Sequence, residues 1–103
     1  MQPVYPEQSV VMAPLSGYTD LAFRRACRHQ GAIYTFTPLV EAGSVLYGNP
    51  RTNSLLLRDE DEPWLGIQLL DASPDRLKAA ARQINQYRFD LLDLNMGCPV
   101  RKV

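Results

Sequence analysis

Charge imbalance and long apolar runs are both missing from this 103-residue sequence. Eleven basic and eleven acidic residues give a formal charge of zero, so there is no overall electrostatic attraction for nucleic acid or a membrane surface. No apolar run approaches the about 18 residues that span a bilayer, and the start has no basic segment followed by an apolar core. The sequence therefore predicts a soluble, single globular piece with a modest core, and any nucleic acid must be met by a local patch.

Cysteine and histidine are also scarce. Cys27 and Cys98 lie far apart without CxxC or Cys/His spacing, which indicates neither a zinc site nor a disulfide framework and fits a reducing, cytoplasmic location. His29 is the only histidine, and we expect it to be exposed in the last turn of a helix, where the dipole favours a cation. The acidic run 59–62 has no regular ligand spacing, so we expect a solvated loop and no metal site.

Strand and helix patterns alternate along the chain. Continuous apolar runs typical of parallel strands buried on both faces occupy residues 9–13, 32–37, 64–70 and 89–94. A helix is predicted from Leu21, a second short one over residues 41–47, and a third after Ser73 and Pro74, which suit its cap and first position. Residues 55–57 fit either a short strand or a turn of helix. This order predicts an α/β fold with a parallel sheet.

The helix predicted from Leu21 has one apolar face, made of Leu21, Ala22, Phe23, Ala26 and Cys27. Arg24, Arg25 and Arg28 fall mostly off this face, so we expect exposed arginines and a core position for Cys27. Thr19 is suited to cap the helix, Asp20 to lie in its first turn, and Gly31 to stop it.

Unusual polar residues follow the strand ends, where parallel α/β folds form their ligand face. Residues 14–17 follow the first strand, and Gln68 lies late in the third, where it needs backbone or ligand partners. After the fourth strand, Gly97 permits unusual backbone conformations and Pro99 fixes its own φ, so together they would hold Cys98 in place. The alternative is that Cys98 is a small buried hydrophobe beside an ordinary turn.

These residues resemble a known family. Residues 12–20, Met-Ala-Pro-Leu-Ser-Gly-Tyr-Thr-Asp, resemble the opening motif of the tRNA-dihydrouridine synthases. Residues 93–103 resemble their Leu-Asn-x-Gly-Cys-Pro signature, and Ile67-Gln68-Leu69 lies midway, as it does in the family. The resemblance implies parallel β/α units of a TIM (β/α)8 barrel, of which residues 1–103 would be the first half of the FMN-binding catalytic domain, ending after the fourth strand; a closed barrel takes roughly 250 residues.

The resemblance also implies a reaction and a cofactor site. The family reduces the C5–C6 bond of selected uridines in tRNA with FMN, which NADPH recharges. Pro14, Leu15 and Ser16 would line the flavin, and Gln68 would hydrogen-bond the polar edge of its isoalloxazine ring. Leu15 replaces the usual methionine, and Pro38 stands where many members have a glutamate.

Asn95 and Cys98 are the residues that the resemblance places at the substrate. Asn95 would contact the uracil or the flavin, and Cys98 would be the general acid. Hydride goes from flavin N5 to C6 of the uracil, so C5 needs a proton from a positioned donor. A thiol with an unperturbed pKa of about 8.5 is still mostly protonated near neutral pH and can donate.

Two other functions fit the sequence less well. One is a different FMN barrel, such as a dihydroorotate dehydrogenase or an ene-reductase. The other is a catalytically silent half-barrel that serves as an oligomeric structural module. As part of a dihydrouridine synthase, the isolated chain is expected to be inactive, because the family's phosphate-binding loops and tRNA-binding helices belong to later parts of its members. We also expect it to self-associate, because the first and fourth strands of a half-barrel are open edges.

Overall fold

The computed structural model of the chain describes residues 4–98. Its helices and strands are α1 Leu21–His29, β1 Thr35–Glu41, α2 Ala42–Tyr47, α3 Pro50–Leu55, β2 Leu65–Leu70, α4 Pro74–Ile84 and β3 Leu91–Leu94. Pro99, predicted to fix the turn around Cys98, lies outside the described residues, as do residues 100–103 at the end of the signature.

One parallel sheet organises these elements, in the order β1-β2-β3. The predicted second, third and fourth strands are β1, β2 and β3, so the expected α/β class with parallel β/α units is confirmed. All six residues of β2 are buried because this strand lies between two neighbours and is covered on both faces. The register sets Gln68 of β2 beside Asp93 of β3, close to the carboxyl ends of both strands.

The predicted first strand is only partly formed. Residues 9–13 make a single parallel bridge, Val11 with Tyr34, in which the Met12 N–H donates to the Tyr34 carbonyl oxygen at 2.9 Å. The direction was predicted correctly, but the length was not. Within the described residues this segment has a strand on one side only, and Val10 is 89% exposed. Pro14 has no backbone N–H to donate, so the hydrogen bonds between this segment and its neighbouring strand cannot continue past it.

Strand β1 continues beyond Pro38, where the sequence predicted its end. The strand reaches Glu41, and its pairing with β2 shifts between Phe36 and Leu39. Proline has no N–H to donate, so the ladder is interrupted at Pro38 without the strand being broken.

The helix ends follow local capping chemistry. Asp20, and not Thr19, is the N-cap of α1, with its carboxylate accepting from the Phe23 N–H at 2.8 Å. Ser73 caps α4 through the Arg76 N–H at 3.2 Å, as predicted. Gly48 ends α2 in the left-handed region at φ +80°.

Residues 55–57, for which the sequence left two alternatives, follow the helical one. Leu55 is the last residue of α3, and Leu56 is its C-cap. This helix starts at Asn49, whose side chain accepts from the Arg51 N–H at 2.8 Å.

The main core lies between the sheet and the helices α2 and α4. Its buried members are Val40, Ala42, Val45, Leu56, Ile67, Leu69, Ala80 and Ile84. A second cluster is aromatic: Trp64 contacts Tyr5, Tyr34 and Phe36, with ring centroids 5.4–5.9 Å apart. The Phe36 ring lies where a Cβ on Gly66 would project, so only glycine fits there.

Helix α1 packs differently from the prediction, because Arg24 is fully buried while Phe23 is 40% exposed. The guanidinium of Arg24 donates to Glu62 Oε1 at 2.8 Å, to the Thr19 carbonyl at 2.9 Å and to the Leu57 carbonyl at 2.8 Å. A buried charge is tolerated when it is paired and fully hydrogen-bonded, and these partners meet that condition. The predicted inward face of α1 is therefore wrong.

The acidic run is correspondingly not a solvated loop throughout. Glu62 is buried against Arg24, and Asp59 accepts from Arg25 at 2.7 Å and Arg28 at 2.7 Å. The hydrogen bond from Arg25, then that from Arg28, lowers the pKa of Asp59. Asp61, in contrast, has an exposed side chain, and its ion pair to Arg28 is long at 3.6 Å.

The apolar residues of α1 border an open groove of about 770 Å³. We call it the α1 groove and define it by Val10, Met12, Ala26, Cys27, Ile33 and Tyr34. Cys27 is only half-buried there, so its predicted core position is wrong. His29 is exposed, as expected. Among residues 4–98, no helix is both long enough and apolar enough to cross a bilayer.

Candidate functional site at the carboxyl ends of the strands

Gln68 is the polar residue that the buried strand β2 carries toward its carboxyl end. Its side-chain Nε2 donates to Asp93 Oδ2 at 2.6 Å, and 8% of the residue remains exposed. The two residues are direct partners in the β2–β3 register, so the backbone ladder itself holds them side by side. A glutamine inside a strand was expected to need a partner, and Asp93 is that partner.

Asn95 joins this pair immediately after β3. Its backbone N–H donates to the Leu69 carbonyl at 2.9 Å, which anchors the residue to the end of β2. Its Nδ2 donates to Gln68 Oε1 at 3.4 Å, and its Oδ1 accepts from the Gly97 N–H at 3.0 Å. Gln68, Asp93 and Asn95 thus form one connected group, which we call the amide cluster.

Cys98 follows the amide cluster at the end of the described chain and is half-buried. The turn before it is held by the Asn95 side chain rather than by an unusual backbone at Gly97, whose φ is not positive. The conformational role predicted for Gly97 is therefore wrong. No atom of residues 4–98 lies within 4 Å of the position where a Cβ on Gly97 would project, so the described part of the chain leaves this space open.

The loop at residues 14–17 leaves the bridge at Val11, on the side of β1 away from β2. The hydroxyl of the buried Thr19 accepts from the Leu15 N–H at 3.1 Å and donates to the Leu15 carbonyl at 3.2 Å. Gly17 takes a left-handed φ of +78°, which closes the turn. Leu15 and Ser16 are exposed as a result, and Pro14 is partly buried.

The structure thus connects some of the predicted site residues and not others. Gln68 and Asn95 touch directly, and Cys98 follows them along the chain. Within residues 4–98, no hydrogen bond links Pro14, Leu15 or Ser16 to the amide cluster. Their predicted cofactor contacts therefore stay predictions.

Asp93 was missed by the sequence reasoning, although a signal was available. It stands in the apolar run 89–94, one position before the Leu-Asn of the signature. A carboxylate in a strand needs partners as much as a glutamine does, and two such residues on adjacent parallel strands can supply each other.

A second carboxylate marks the end of β2. Asp71 accepts from Arg76 Nε at 2.9 Å and from the Ser73 N–H at 2.8 Å. The hydrogen bond from Arg76, followed by that from Ser73, lowers the pKa of Asp71 to about 2. This carboxylate therefore fixes the turn by which the chain leaves the carboxyl end of the sheet.

The parallel strands with intervening helices define an α/β protein, a class in which the carboxyl ends of the strands commonly form the ligand face. Comparison with known families narrows this class of protein to one family. The family model described as dihydrouridine synthase (Dus) matches residues 11–103, and the chain belongs to that family.

Individual relatives agree. The chain is 31% identical over 94 residues to tRNA-dihydrouridine synthase B of Pasteurella multocida, covering 91% of this chain and 28% of that protein. It is 34% identical over 100 residues to a probable tRNA-dihydrouridine synthase of Aquifex aeolicus, covering 96% and 31%. A probable tRNA-dihydrouridine synthase of Mycobacterium tuberculosis is 36% identical over 109 residues, covering 98% and 28%. The chain therefore spans less than a third of the length of these relatives.

Proposed function

We propose that this chain is the first half of the catalytic barrel of an enzyme that reduces the C5–C6 bond of uridine in tRNA, with FMN as cofactor and NADPH as reductant. The observation that carries the proposal is the amide cluster at the carboxyl ends of β2 and β3, followed at once by the thiol of Cys98. Family membership supports the same reaction, since the named relatives are tRNA-dihydrouridine synthases.

The residues present fit the ring of FMN. Gln68 and Asn95 offer amide groups to its polar edge, and the exposed Leu15 offers an apolar surface to its flat face. When bound, FMN would supply the hydride for C6 of the uracil. The phosphate requires backbone amides and basic groups, which the family carries beyond this region. We therefore expect only weak FMN binding by the 103-residue chain.

In the proposed reaction, Cys98 is the proton donor to C5 of the uracil, while Asn95 and Gln68 orient the rings. The half-buried Cys98 lies three positions after Asn95 and directly follows Gly97 in sequence. Positioned proton donors contribute typically about 10²–10⁴-fold to a rate. Only the half-reaction that reduces uracil uses this proton, so flavin reduction by NADPH does not depend on Cys98.

The test uses the full-length enzyme that contains this chain. Alternatively, residues 1–103 replace the matching region of the Pasteurella multocida relative. Cys98→Ala is expected to slow single-turnover flavin reoxidation by tRNA by at least about 10²-fold. Flavin reduction by NADPH should stay at the parent rate. Cys27→Ala is the matched control, because this half-buried thiol borders the α1 groove instead of the amide cluster. Equal reoxidation rates for Cys98→Ala and the parent would refute the general-acid role.

A silent structural module is the second candidate: a longer protein that contains this chain would then hold the half-barrel without using it for catalysis. Yellow flavin colour in the purified full-length protein separates the two functions. Its absence, together with a lack of tRNA reduction, would favour the structural module. A different FMN barrel would keep the colour but would oxidise or reduce a small substrate instead of tRNA. We also propose a reducing, cytoplasmic setting, because Cys27 and Cys98 are both free.

The isolated chain is proposed to pair with a second copy of itself. Within residues 4–98, β3 pairs with β2 alone, and the segment bridged at Val11 has its outer side open beside the α1 groove. In a symmetric dimer, β3 of each copy would lie against this segment of the other, and both open edges would be covered at once.

Sedimentation velocity tests the self-association. Val10→Lys should shift the dimer toward monomer, because Val10 is 89% exposed at the groove and its replacement costs little folding energy. Tyr47→Lys is the control, at an exposed position on α2. A single compact monomer for the parent at low micromolar concentration would contradict the proposal.

A further inference from the structure

Asp93 accepts a hydrogen bond from the side-chain amide of Gln68 and can therefore determine which way that amide faces. The oxygen and nitrogen of a glutamine amide are alike in shape, so neighbours determine which way the group faces. An ionised carboxylate only accepts hydrogen bonds, and Asp93 Oδ2 lies 2.6 Å from Gln68 Nε2. With its NH₂ group held at Asp93, the Gln68 amide must turn its oxygen the other way.

That orientation is passed on to Asn95. Gln68 Oε1 accepts from Asn95 Nδ2 at 3.4 Å, so the carbonyl of Asn95 faces away from Gln68. The Asn95 Oδ1 then accepts from the Gly97 N–H at 3.0 Å, and a backbone N–H can only donate. One end of the amide cluster is a pure acceptor and the other meets a pure donor, so all three hydrogen bonds run in a single direction.

The hydrogen-bonding capacity that remains in the amide cluster has a definite pattern. Among the hydrogen bonds within residues 4–98, Gln68 keeps one N–H and one lone pair of Oε1, and Asn95 keeps one N–H of Nδ2 and one lone pair of Oδ1. The two Gln68 groups and the Asn95 N–H amount, in that order, to donor, acceptor and donor. The imide edge shared by uracil and isoalloxazine, C=O, N–H and C=O, presents acceptor, donor and acceptor. The two patterns are complementary.

We propose that Asp93 is a positioning residue that, together with the Gly97 N–H at the other end of the amide cluster, holds the polarity of the Gln68 and Asn95 amides and thereby makes the site select an imide edge. The identity of the ligand rests on the proposed function, whereas the polarity of the amides rests on the hydrogen bonds alone. Asp93 acts entirely through Gln68 and need not touch the ligand. Because Gln68 and Asp93 are register partners, their pairing is built into the sheet before any ligand binds.

Asp93→Asn tests whether Asp93 positions the Gln68 amide, since the substitution keeps the shape of the side chain but removes its charge and adds a donor. In NMR spectra of the ¹⁵N-labelled chain, the two Nε2 protons of Gln68 should be widely separated in the parent and should move together in the variant. Gln68→Leu identifies their signals. Asp90→Asn is the control, because Asp90 accepts from the Leu65 N–H at 3.0 Å and does not contact the amide cluster. Unchanged Gln68 signals in Asp93→Asn would overturn the positioning role.

Titration with uracil and with 3-methyluracil, whose imide N–H is blocked, tests whether the site selects an imide edge. Uracil at millimolar concentration should shift the side-chain signals of Gln68 and Asn95, and 3-methyluracil should shift them at least tenfold less. Asp93→Asn should lose this preference, while Asp90→Asn should keep it. Equal shifts from both compounds, or from neither, would overturn the imide selection. Because these signals are read without flavin or tRNA, either result is separate from failure of the full-length enzyme to reduce tRNA.

Discussion

The buried ion pair between Arg24 and Glu62 gives the most demanding prediction for stability. Both side chains are 0% exposed, and the guanidinium reaches Glu62 and two backbone carbonyls. Removing Glu62 would leave Arg24 charged and buried without its counter-ion, which costs about 3–5 kcal/mol for pairs of this kind. A domain of this size is stable by about 5–15 kcal/mol, so Glu62→Ala would remove a large part of the total.

The structure also orders the variants by severity. Glu62 accepts from Arg24, from Thr35 and from the Asp59 N–H, and it lies 3.2 Å from Arg28, so its loss affects four groups, whereas the loss of Arg24 affects three. Replacing both partners by apolar residues, Arg24→Met with Glu62→Leu, should restore most of the stability, because no unpaired charge then remains between them. Arg25→Ala is the control: its 2.7 Å pair with Asp59 leaves Arg25 50% exposed, and solvent-exposed pairs contribute little to stability.

Urea unfolding of the purified chain, followed by circular dichroism, measures these differences. Should Glu62→Ala prove too unstable, Glu62→Gln retains an oxygen for Arg24 and gives a measurable midpoint. The double-mutant cycle isolates the coupling between Arg24 and Glu62. A cost for Glu62→Ala no larger than that of Arg25→Ala, or a coupling energy near zero, would refute the reasoning.

Two further predictions concern packing and acid. Gly66→Ala should destabilise by about 1–3 kcal/mol in urea unfolding, because its methyl group would overlap the Phe36 ring. Gly97→Ala should be neutral there, as that space is open. The pKa of Asp71 is lowered to about 2, chiefly by Arg76, so its stabilisation is complete above its unfolded pKa near about 4 and is lost as the pH falls through 2. Acid titration of Asp71→Asn should lack this loss, and an unchanged profile would contradict it.

The parts of the fold that the sequence predicts correctly are those governed by local pattern. Ser73 with Pro74 marks the start of α4, and Gly48 marks the end of α2, because capping depends on a few neighbouring residues. Gln68 and Asn95 were predicted to lie at one ligand face because polar groups at the ends of buried strands are conspicuous; the structure places them in contact, and their role in a site stays a prediction.

Failures arose where a distant partner decides the outcome. Arg24 appears polar on any helical projection, yet it is buried because Glu62, 38 residues later, neutralises it. The predicted core position of Cys27 was wrong for the same reason. When α1 turns Arg24 toward the interior, its apolar side, which includes Cys27, faces the α1 groove. Asp93 was overlooked because its hydrogen-bond partner, Gln68, is set by the register between two strands. The pattern of residues within one strand does not reveal that register.

Trp64 is the only tryptophan in the chain, and it lies where the start of the chain meets the sheet. Its indole makes edge contacts with Tyr5 from the N-terminal segment and with Phe36 from β1. A change in the docking of that segment would alter the surroundings of the ring and therefore its fluorescence emission. The protein thus carries an intrinsic optical reporter at the amino end of its central strand, which can follow docking of the N-terminal segment in real time without any attached dye.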